Sequence, residues 1–530
     1  MATWLDKWTP EDKNFWEQTG SKIAWRVLTV TTISLILSFA TWFMMSAIVT
    51  KLPGMGFKFD KDQLFWLAAM PGLAAGILRI IHTFLLPIYG SRHVITISTI
   101  IKLVPAIGLG LAVMNTTTPF WVFMVISFTA GFGGGDFSSY MPSTSMFFPK
   151  RLQGTALGIQ AGIGNFGVSV AQFMTPVMLG IATYGASEVF TTIDAKEAIV
   201  TLKSMEPAKR SEVFASLDTA VQSKIIFNVD KKIKDSVKQV AAISDKVAFF
   251  SALPIKAQGK AISKINPKAA EKVMMKFDEN TKSVKNKEIH LQSAAFWYVP
   301  LLIILAIACW FLIRSIPVKA SFSEQLDIFK DKHTWFCTIT YMMTFGGFSG
   351  LAAIFPLMIK TVYGDFPNAP DPLTYAFLGP LIGAGSRVMF GFVADKIGGA
   401  ILTTLTGIAL IGGCIAMVQM GLLTPTSVDQ FPTFLYLMLF LFFVTGMGNA
   451  ATFRQYPIIF GHNPRQAAGV IGFSAAIAAF GPFIFATQVS SVLQKFGNAN
   501  NFFYAIAAFF VIATIVNWYY YQRKGCERPS

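Results

Sequence analysis

Charge is scarce in this sequence: Asp, Glu, Lys and Arg make up 14% of its 530 residues, against roughly a quarter in a soluble globular protein. That shortage excludes an ordinary string of soluble domains. Cysteine is nearly absent, and the four present are scattered, Cys309, Cys337 and Cys414 in apolar runs and Cys526 in the final stretch. No disulfide framework follows from such a set. The five histidines, including His82 inside an apolar run, form no metal-ligand cluster and no nucleophile triad. Neither a metal, a cofactor nor an enzyme is therefore expected. The first 23 residues are polar and mixed in charge, without the apolar core and cleavage site of a signal peptide.

What fills the chain is apolar, with 53% hydrophobic residues and a mean hydropathy of +0.53. A helix needs about 20 mostly apolar residues to cross the hydrocarbon core. The sequence supplies twelve such runs, near 24–50, 63–88, 93–114, 119–142, 153–184, 295–314, 334–360, 373–394, 399–422, 432–453, 467–490 and 499–521. The expected fold class is an all-α membrane protein. The net charge of +16 is not one nucleic-acid-binding patch. The terminal segments and the loops after even-numbered runs hold 17 Lys and Arg, among them Arg92, Lys150, Arg151 and Arg454. The short loops on the other face hold five: Lys51, Lys58, Lys61, Lys360 and Lys495. Short loops rich in Lys and Arg stay in the cytoplasm, so both termini are expected there, with the lipid bilayer and not nucleic acid as partner.

Six runs precede residue 315 and six follow residue 333, joined by a charged connector with Lys319, Glu324, Asp327 and Lys330. The halves echo each other. Arg79 is followed eleven residues later by Gly90, and Arg387 eleven residues later by Gly398. Gly133-Gly-Gly-Asp136-Phe137 in the fourth run is answered by Gly446-Met-Gly448 through Phe453 in the tenth. In the fifth, Gly154, Gly158 and Gly162 recur every four residues, as do Ala468, Gly472 and Ala476 in the eleventh. Small residues at that spacing let helix backbones approach closely. A six-plus-six duplication places a transporter's substrate near mid-membrane, between the halves. The domain plan is a cytoplasmic tail at 1–23, helices 1–5 over 24–184, an insert at 185–294, helix 6 over 295–314, the connector at 315–333, helices 7–12 over 334–521 and a tail at 522–530.

The insert breaks the symmetry. It holds 19 Lys and Arg against 13 Asp and Glu, and patterns such as Lys231-Lys-Ile-Lys234-Asp-Ser-Val-Lys238 read as amphipathic helices. Following an odd-numbered run, it is expected in the periplasm; its charge is no objection, because the positive-inside rule governs only loops shorter than about 60 residues. A small helical domain and a flexible excursion both fit its composition.

Of the 44 basic residues only Arg79, Lys102 and Arg387 fall inside apolar runs, and of the 28 acidic residues only Asp136 lies deep in one. An arginine at the bilayer centre costs at least about 2.5–3.5 kcal/mol, so such residues normally face an interior cavity. Two of them at matched positions of a repeat, without two acidic partners, read as an anion receptor. Each planar fork offers paired hydrogen bonds to two oxygens. A structural role at helix ends is the alternative. Lys102 reads as a residue that snorkels or fills a polar gap.

Residues 133–167 run from Gly-Gly-Gly-Asp-Phe-Ser-Ser through Phe147-Phe148-Pro149-Lys150 and Gln153-Gly154-Thr-Ala-Leu-Gly158 to Gly164-Asn165-Phe-Gly167. This stretch resembles the nitrate signature of the nitrate/nitrite porters, a family of the major facilitator superfamily. Residues 446–481 resemble its second, weaker copy. The likeness extends from Trp8-Thr-Pro-Glu-Asp-Lys-Asn-Phe-Trp16 to the last run, the insert excepted. The resemblance implies a major facilitator fold of two pseudo-symmetric six-helix bundles. It also implies a monomeric secondary transporter of nitrate or nitrite, working by alternating access in a bacterial inner membrane. Substrate-binding roles follow for Arg79 in Gly-Ile-Leu-Arg-Ile, for Arg387 in Gly-Ala-Gly-Ser-Arg, for Phe39, Phe137, Tyr341 and Phe345, and for the signature Asn165. Nitrate is flat and weakly hydrated, so ring faces sandwich it while arginines hold its oxygens in plane.

This chain departs from the family pattern in its long insert and at Asp136, where asparagine is usual. A carboxylate beside an anion site opposes binding unless it is protonated or paired. Asp136 is read either as carrying a coupling proton or as neutralising an arginine, and proton symport and nitrate/nitrite exchange both stay open. A sugar or drug cargo, and a receptor or scaffold built on the insert, are the competing functions; the paired arginines argue against both.

Overall fold

The computed structural model describes residues 4–183, 190–193, 195–229, 243–265, 267–277, 286–317, 323–364, 366 and 369–530. Among these, eleven helices are long and apolar enough to cross a membrane: Lys13–Ile48, Lys61–Thr83, Ile88–Ala112, Phe120–Phe147, Ser293–Leu312, Lys332–Tyr363, Pro372–Ile397, Gly399–Gln419, Val428–Ile459, Gly469–Phe496 and Asn500–Gln522. The 30-residue helix Lys150–Leu179 stands between the fourth and fifth of them. Taken in chain order these are the first to twelfth spanning helices, at the twelve places the apolar runs predict. Helix is the available form there, because hydrocarbon offers no partner to an unpaired backbone N–H or C=O.

Gly90 (φ 77°) turns the chain from the second helix into the third, and Gly398 (φ 97°) from the eighth into the ninth. Both φ values lie in the left-handed region that glycine enters without steric cost. Eleven residues of helix span about 16 Å, half of the roughly 30 Å hydrocarbon core. Arg79 and Arg387 therefore lie near mid-membrane. The halves meet where the second helix packs on the eleventh, and the fifth on the eighth.

The close backbone approaches fall elsewhere than the four-residue glycine spacing predicts. A Cβ at Gly133, Gly167 or Gly446 would come within 2.1, 2.1 or 2.0 Å of the carbonyl oxygen of Ser38, Ile36 or Gly383. Gly158, in contrast, meets nothing within 4 Å, Gly162 meets only Val388, and Gly472 meets Thr83 at 3.6 Å. The side-chain surroundings of Gly154 and Ala468 lie outside the described set.

Both ends of the chain and the connector share one side of the bundle, tied by Leu5 N–H to the Ser315 carbonyl at 2.8 Å and by Arg528 to Asp331 at 2.8 Å. The insert occupies the other side. Its first strand, Phe190–Ile193, pairs antiparallel with its last, Asn286–Ile289, so the insert leaves and rejoins the bundle at one point.

Among the described residues between these strands lie six short helices, Ala195–Lys203, Pro207–Ala215, Thr219–Val229, Ile243–Ala252, Ile255–Ser263 and Pro267–Phe277, whose starts are spaced by multiples of twelve residues. Buried Leu202, Phe214, Ile226, Phe250, Ile262 and Met274 keep the same spacing. Ala195–Lys203 packs on Ile255–Ser263 and Pro207–Ala215 on Ile243–Ala252, where Phe214 and Phe250 stack at 4.0 Å. Gln222 Nε2 donates to the Phe214 and Leu217 carbonyls as Gln258 Nε2 does to those of Phe250 and Leu253. The described helices of the insert thus have their own core, as a small helical domain does. The Lys231–Lys238 pattern and Lys319 lie outside the described residues.

Expressed alone, residues 190–289 are expected to be soluble, helical by circular dichroism and cooperative in thermal unfolding. A non-cooperative melt would mean that the spanning helices hold this domain together.

Candidate functional site

The two intramembrane arginines reach the interface between the halves from opposite sides. Arg79 is fully buried; its Nε donates to the Gly134 carbonyl and its Nη1 to the Ala475 carbonyl on the eleventh helix, both at 2.7 Å. The second bond ties one half to the other. Arg387, 5% exposed, lays its guanidinium 4.7 Å from the centre of the Phe453 ring. Their charges are close enough to interact, and Tyr341 lies within reach of both.

Tyr341, Phe345, Phe137 and Phe39 form one file of stacked rings, with successive centroids 5.4, 6.2 and 6.1 Å apart and planes tilted by 8°, 22° and 15°. The file crosses from the seventh helix to the fourth and first. A π-helical turn at Met342–Gly346 begins directly after Tyr341 and carries Phe345, a local widening that recurs at functional sites. The Arg79 guanidinium lies 4.8 Å from the Phe137 centroid, 5.1 Å from Phe345, 5.2 Å from Trp42 and 6.0 Å from Phe39.

Among the described residues four buried donors here make no hydrogen bond within 3.5 Å: Arg79 Nη2, Arg387 Nη1 and Nη2, and the Tyr341 hydroxyl, which lies close enough to Arg387 for a longer polar contact. A buried donor left unsatisfied costs about 1–3 kcal/mol, and more when charged. Among the described residues neither arginine has a carboxylate within ion-pair distance. The arrangement suits an acceptor-rich anion with a flat face.

Of the residues singled out in the sequence, the structure brings Arg79, Arg387, Phe39, Phe137, Tyr341 and Phe345 together. Asn165 is buried with both amide atoms unpartnered, on a fifth-helix stretch whose Gly164 and Gly167 pack against Leu35, Ile36 and Phe39; no hydrogen bond joins it to either arginine. Sequence reasoning passed over Trp42 and Phe453. Phe453 ends the second glycine motif, but it follows Asn449 by four residues whereas Phe137 directly follows Asp136, so the repeat does not align them.

Asp136, read as carrying a coupling proton or as neutralising an arginine, makes its ion pair with Lys102. Fully buried, its Oδ2 accepts from Lys102 Nζ at 2.5 Å and from Ser38 Oγ at 2.6 Å. Lys102, expected to snorkel or fill a polar gap, is itself fully buried in this pair. The reason lies in packing: both side chains point into the first bundle, where each charge has only the other to offset its desolvation.

On the insert side the interface is shut. Lys51 pairs with Asp371 at 2.9 Å, Lys360 donates to the Thr50 carbonyl, and Gln172 Nε2 donates to the Ala352 carbonyl at 3.0 Å. On the other side a cavity of about 550 Å³ runs from Arg387 past Gly158, Gly391 and Phe392 to the Asp395–Arg454 ion pair. The structure is open towards the side that carries the chain ends.

The second half supplies an internal control for the buried pair. Leu410 follows Gly398 by the twelve residues that separate Lys102 from Gly90, and Asn449 follows Gly446 by the three that separate Asp136 from Gly133. Both are buried. Asp136→Asn alone is expected to cost about 3–5 kcal/mol, because it leaves Lys102 charged and unpaired. Lys102→Leu with Asp136→Asn, copying the other half, is expected to recover most of that loss. Thermal unfolding in detergent reads the difference; equal melting of Asp136→Asn and wild type would show that the pair carries no such load.

No protein-family model matches the sequence. "Probable nitrate/nitrite antiporter NarK2" of Thermus thermophilus is 45% identical over all of this chain and 98% of its own length. "Nitrate/nitrite transporter NarU" of Escherichia coli K12 is 30% identical over 98% of this chain and 96% of its own. Among solved structures, the major facilitator superfamily proton:xylose symporter XylE shares the fold, with a TM-score of 0.53 over 94% of this chain and 96% of its own at 13% identity. Twelve helices in two related halves, paired mid-membrane arginines and these full-length relatives lead to one conclusion: the chain belongs to the nitrate/nitrite transporter family of the major facilitator superfamily.

Proposed function

We propose that this protein exchanges nitrate and nitrite across the bacterial inner membrane, holding the anion between Arg79 and Arg387. The observation that carries this reading is the set of three guanidinium nitrogens, buried, flanked by ring faces and free of any carboxylate partner. The insert side is external and the side of the chain ends cytoplasmic, in keeping with the Lys and Arg counts of the short loops. Nitrate and nitrite both present planar, delocalised oxygens to the forks.

Exchange follows from charge. With one anion bound, the arginine site holds one net positive charge; emptied, it holds two. Closing the bundle around the empty site buries two cations without an offsetting anion, a desolvation cost that disfavours return without cargo. Asp136 does not relieve this, since Lys102 already holds it. The Thermus thermophilus relative is named a probable nitrate/nitrite antiporter, which is in keeping with this reading. The second reading, proton symport, has one observation in its favour: the buried Asp136 Oδ1 has no hydrogen-bond partner and is available to a proton.

In proteoliposomes, nitrate uptake is expected to require nitrate or nitrite inside and to ignore a pH gradient. Uptake into empty vesicles driven by an inward proton gradient would replace exchange with symport. Arg79→Lys and Arg387→Lys keep the charge but lose the planar fork. Each lost charge-assisted hydrogen bond is worth about 1.5–3 kcal/mol, so each variant is expected to lose roughly tenfold or more in kcat/KM while still inserting. Near-normal uptake by both would overturn the two-arginine site.

A further inference from the structure

The described helices of the insert differ in charge along the chain. Residues 195–229 hold five Lys and Arg and four Asp and Glu, whereas residues 243–277 hold seven Lys and two acids, Asp245 and Glu271. Three of those lysines, Lys256, Lys260 and Lys264, fall on one helix and its cap, with no acidic residue among them. Their spacing of four places them on one face of Ile255–Ser263 and its cap.

That face points at the transporter. Lys260 Nζ donates to the Phe366 carbonyl at 3.4 Å, in the loop between the seventh and eighth helices. Five residues on, Asp371 of the same loop makes the Lys51 pair that shuts the insert side. Burial first, and then the neighbouring Lys264 and Lys256, bring the Lys260 ammonium down to about 8, as expected where like charges crowd.

We infer that the Lys256–Lys260–Lys264 face is an anion-collecting surface that concentrates small inorganic anions at the external mouth of the transport path. This rests on the external placement of the insert and on the anion cargo proposed above. A cluster of one sign beside low-dielectric walls raises the local concentration of its counter-ion and the rate of encounter. Its reach is set by salt, with a screening length of about 30 Å at 0.01 M and about 3 Å at 1 M. It adds nothing to the chemistry of the closed site, so it acts on capture and not on turnover.

The test uses the full-length protein in zwitterionic phospholipid vesicles, insert outward, with nitrite inside and limiting nitrate outside. Wild-type kcat/KM for entry is expected to fall about three- to tenfold as a non-transported salt rises from about 0.01 to about 0.5 M, tracking the shrinking screening length. The Lys256→Gln, Lys260→Gln, Lys264→Gln triple variant should start near the high-salt value and stay flat, with kcat and the KM for exit unchanged. The matching triple Lys→Arg variant should restore the salt dependence, which a purely structural role would not require. A Gln variant indistinguishable from wild type at low salt would overturn the proposal. So would one that loses kcat equally at every salt concentration, or an effect that arises only when anionic lipid is present. If wild type shows no nitrate–nitrite counterflow at all, it is the proposed function that fails.

Discussion

Two guanidiniums buried near the middle of the membrane, with no carboxylate beside them, set the terms for the rest of this structure. Arg79 is fully buried and Arg387 5% exposed, and the protein meets them with ring faces, backbone carbonyls and, as proposed, a transported anion. The file of Tyr341, Phe345, Phe137 and Phe39 brings polarisable faces from both halves to Arg79, and Phe453 does the same for Arg387. The glycines at 133, 134 and 167 follow from this arrangement. They let the first, fourth and fifth helices approach closely enough for Phe39 and Phe137 to stack and for the Gly134 carbonyl to accept from Arg79.

The buried Lys102–Asp136 pair is the asymmetric element. It is neutral as a unit and sits wholly within the first bundle, while the second bundle has Leu410 and Asn449 at the matching places. Its ion pair joins Asp136 to Lys102 and not to an arginine, which leaves the guanidiniums to the proposed cargo. On the exchange reading the charge that changes during transport is the cargo's own, and the proposed anion-collecting face of the insert acts before the anion reaches the arginines.

Much of this was legible in the residues. Apolar runs of membrane length located every spanning helix, and the eleven-residue interval from Arg79 to Gly90 and from Arg387 to Gly398 marked both arginines as equivalent, because the left-handed turn at each glycine fixes the depth of the helix that precedes it. What was not legible depended on contacts between distant helices. Asp136 and Lys102 are on different helices, and nothing in the local pattern says that they face each other rather than an arginine. Gly158 has the spacing of a packing glycine yet borders a cavity. The repeat inside the insert is hidden because its helices share buried positions at twelve-residue intervals while the residues at those positions vary, as Leu202, Phe214, Ile226, Phe250, Ile262 and Met274 do.

The most direct measurement is a structure of the protein with nitrate or nitrite bound. The expected result is one planar anion between the halves, bonded to Arg387 Nη1 or Nη2 and to Arg79 Nη2, with aromatic ring faces against its plane and Lys102 still paired with Asp136. An anion bound instead at Lys102, or held only along the Asp395–Arg454 end of the cavity with both guanidiniums uninvolved, would contradict the two-arginine site.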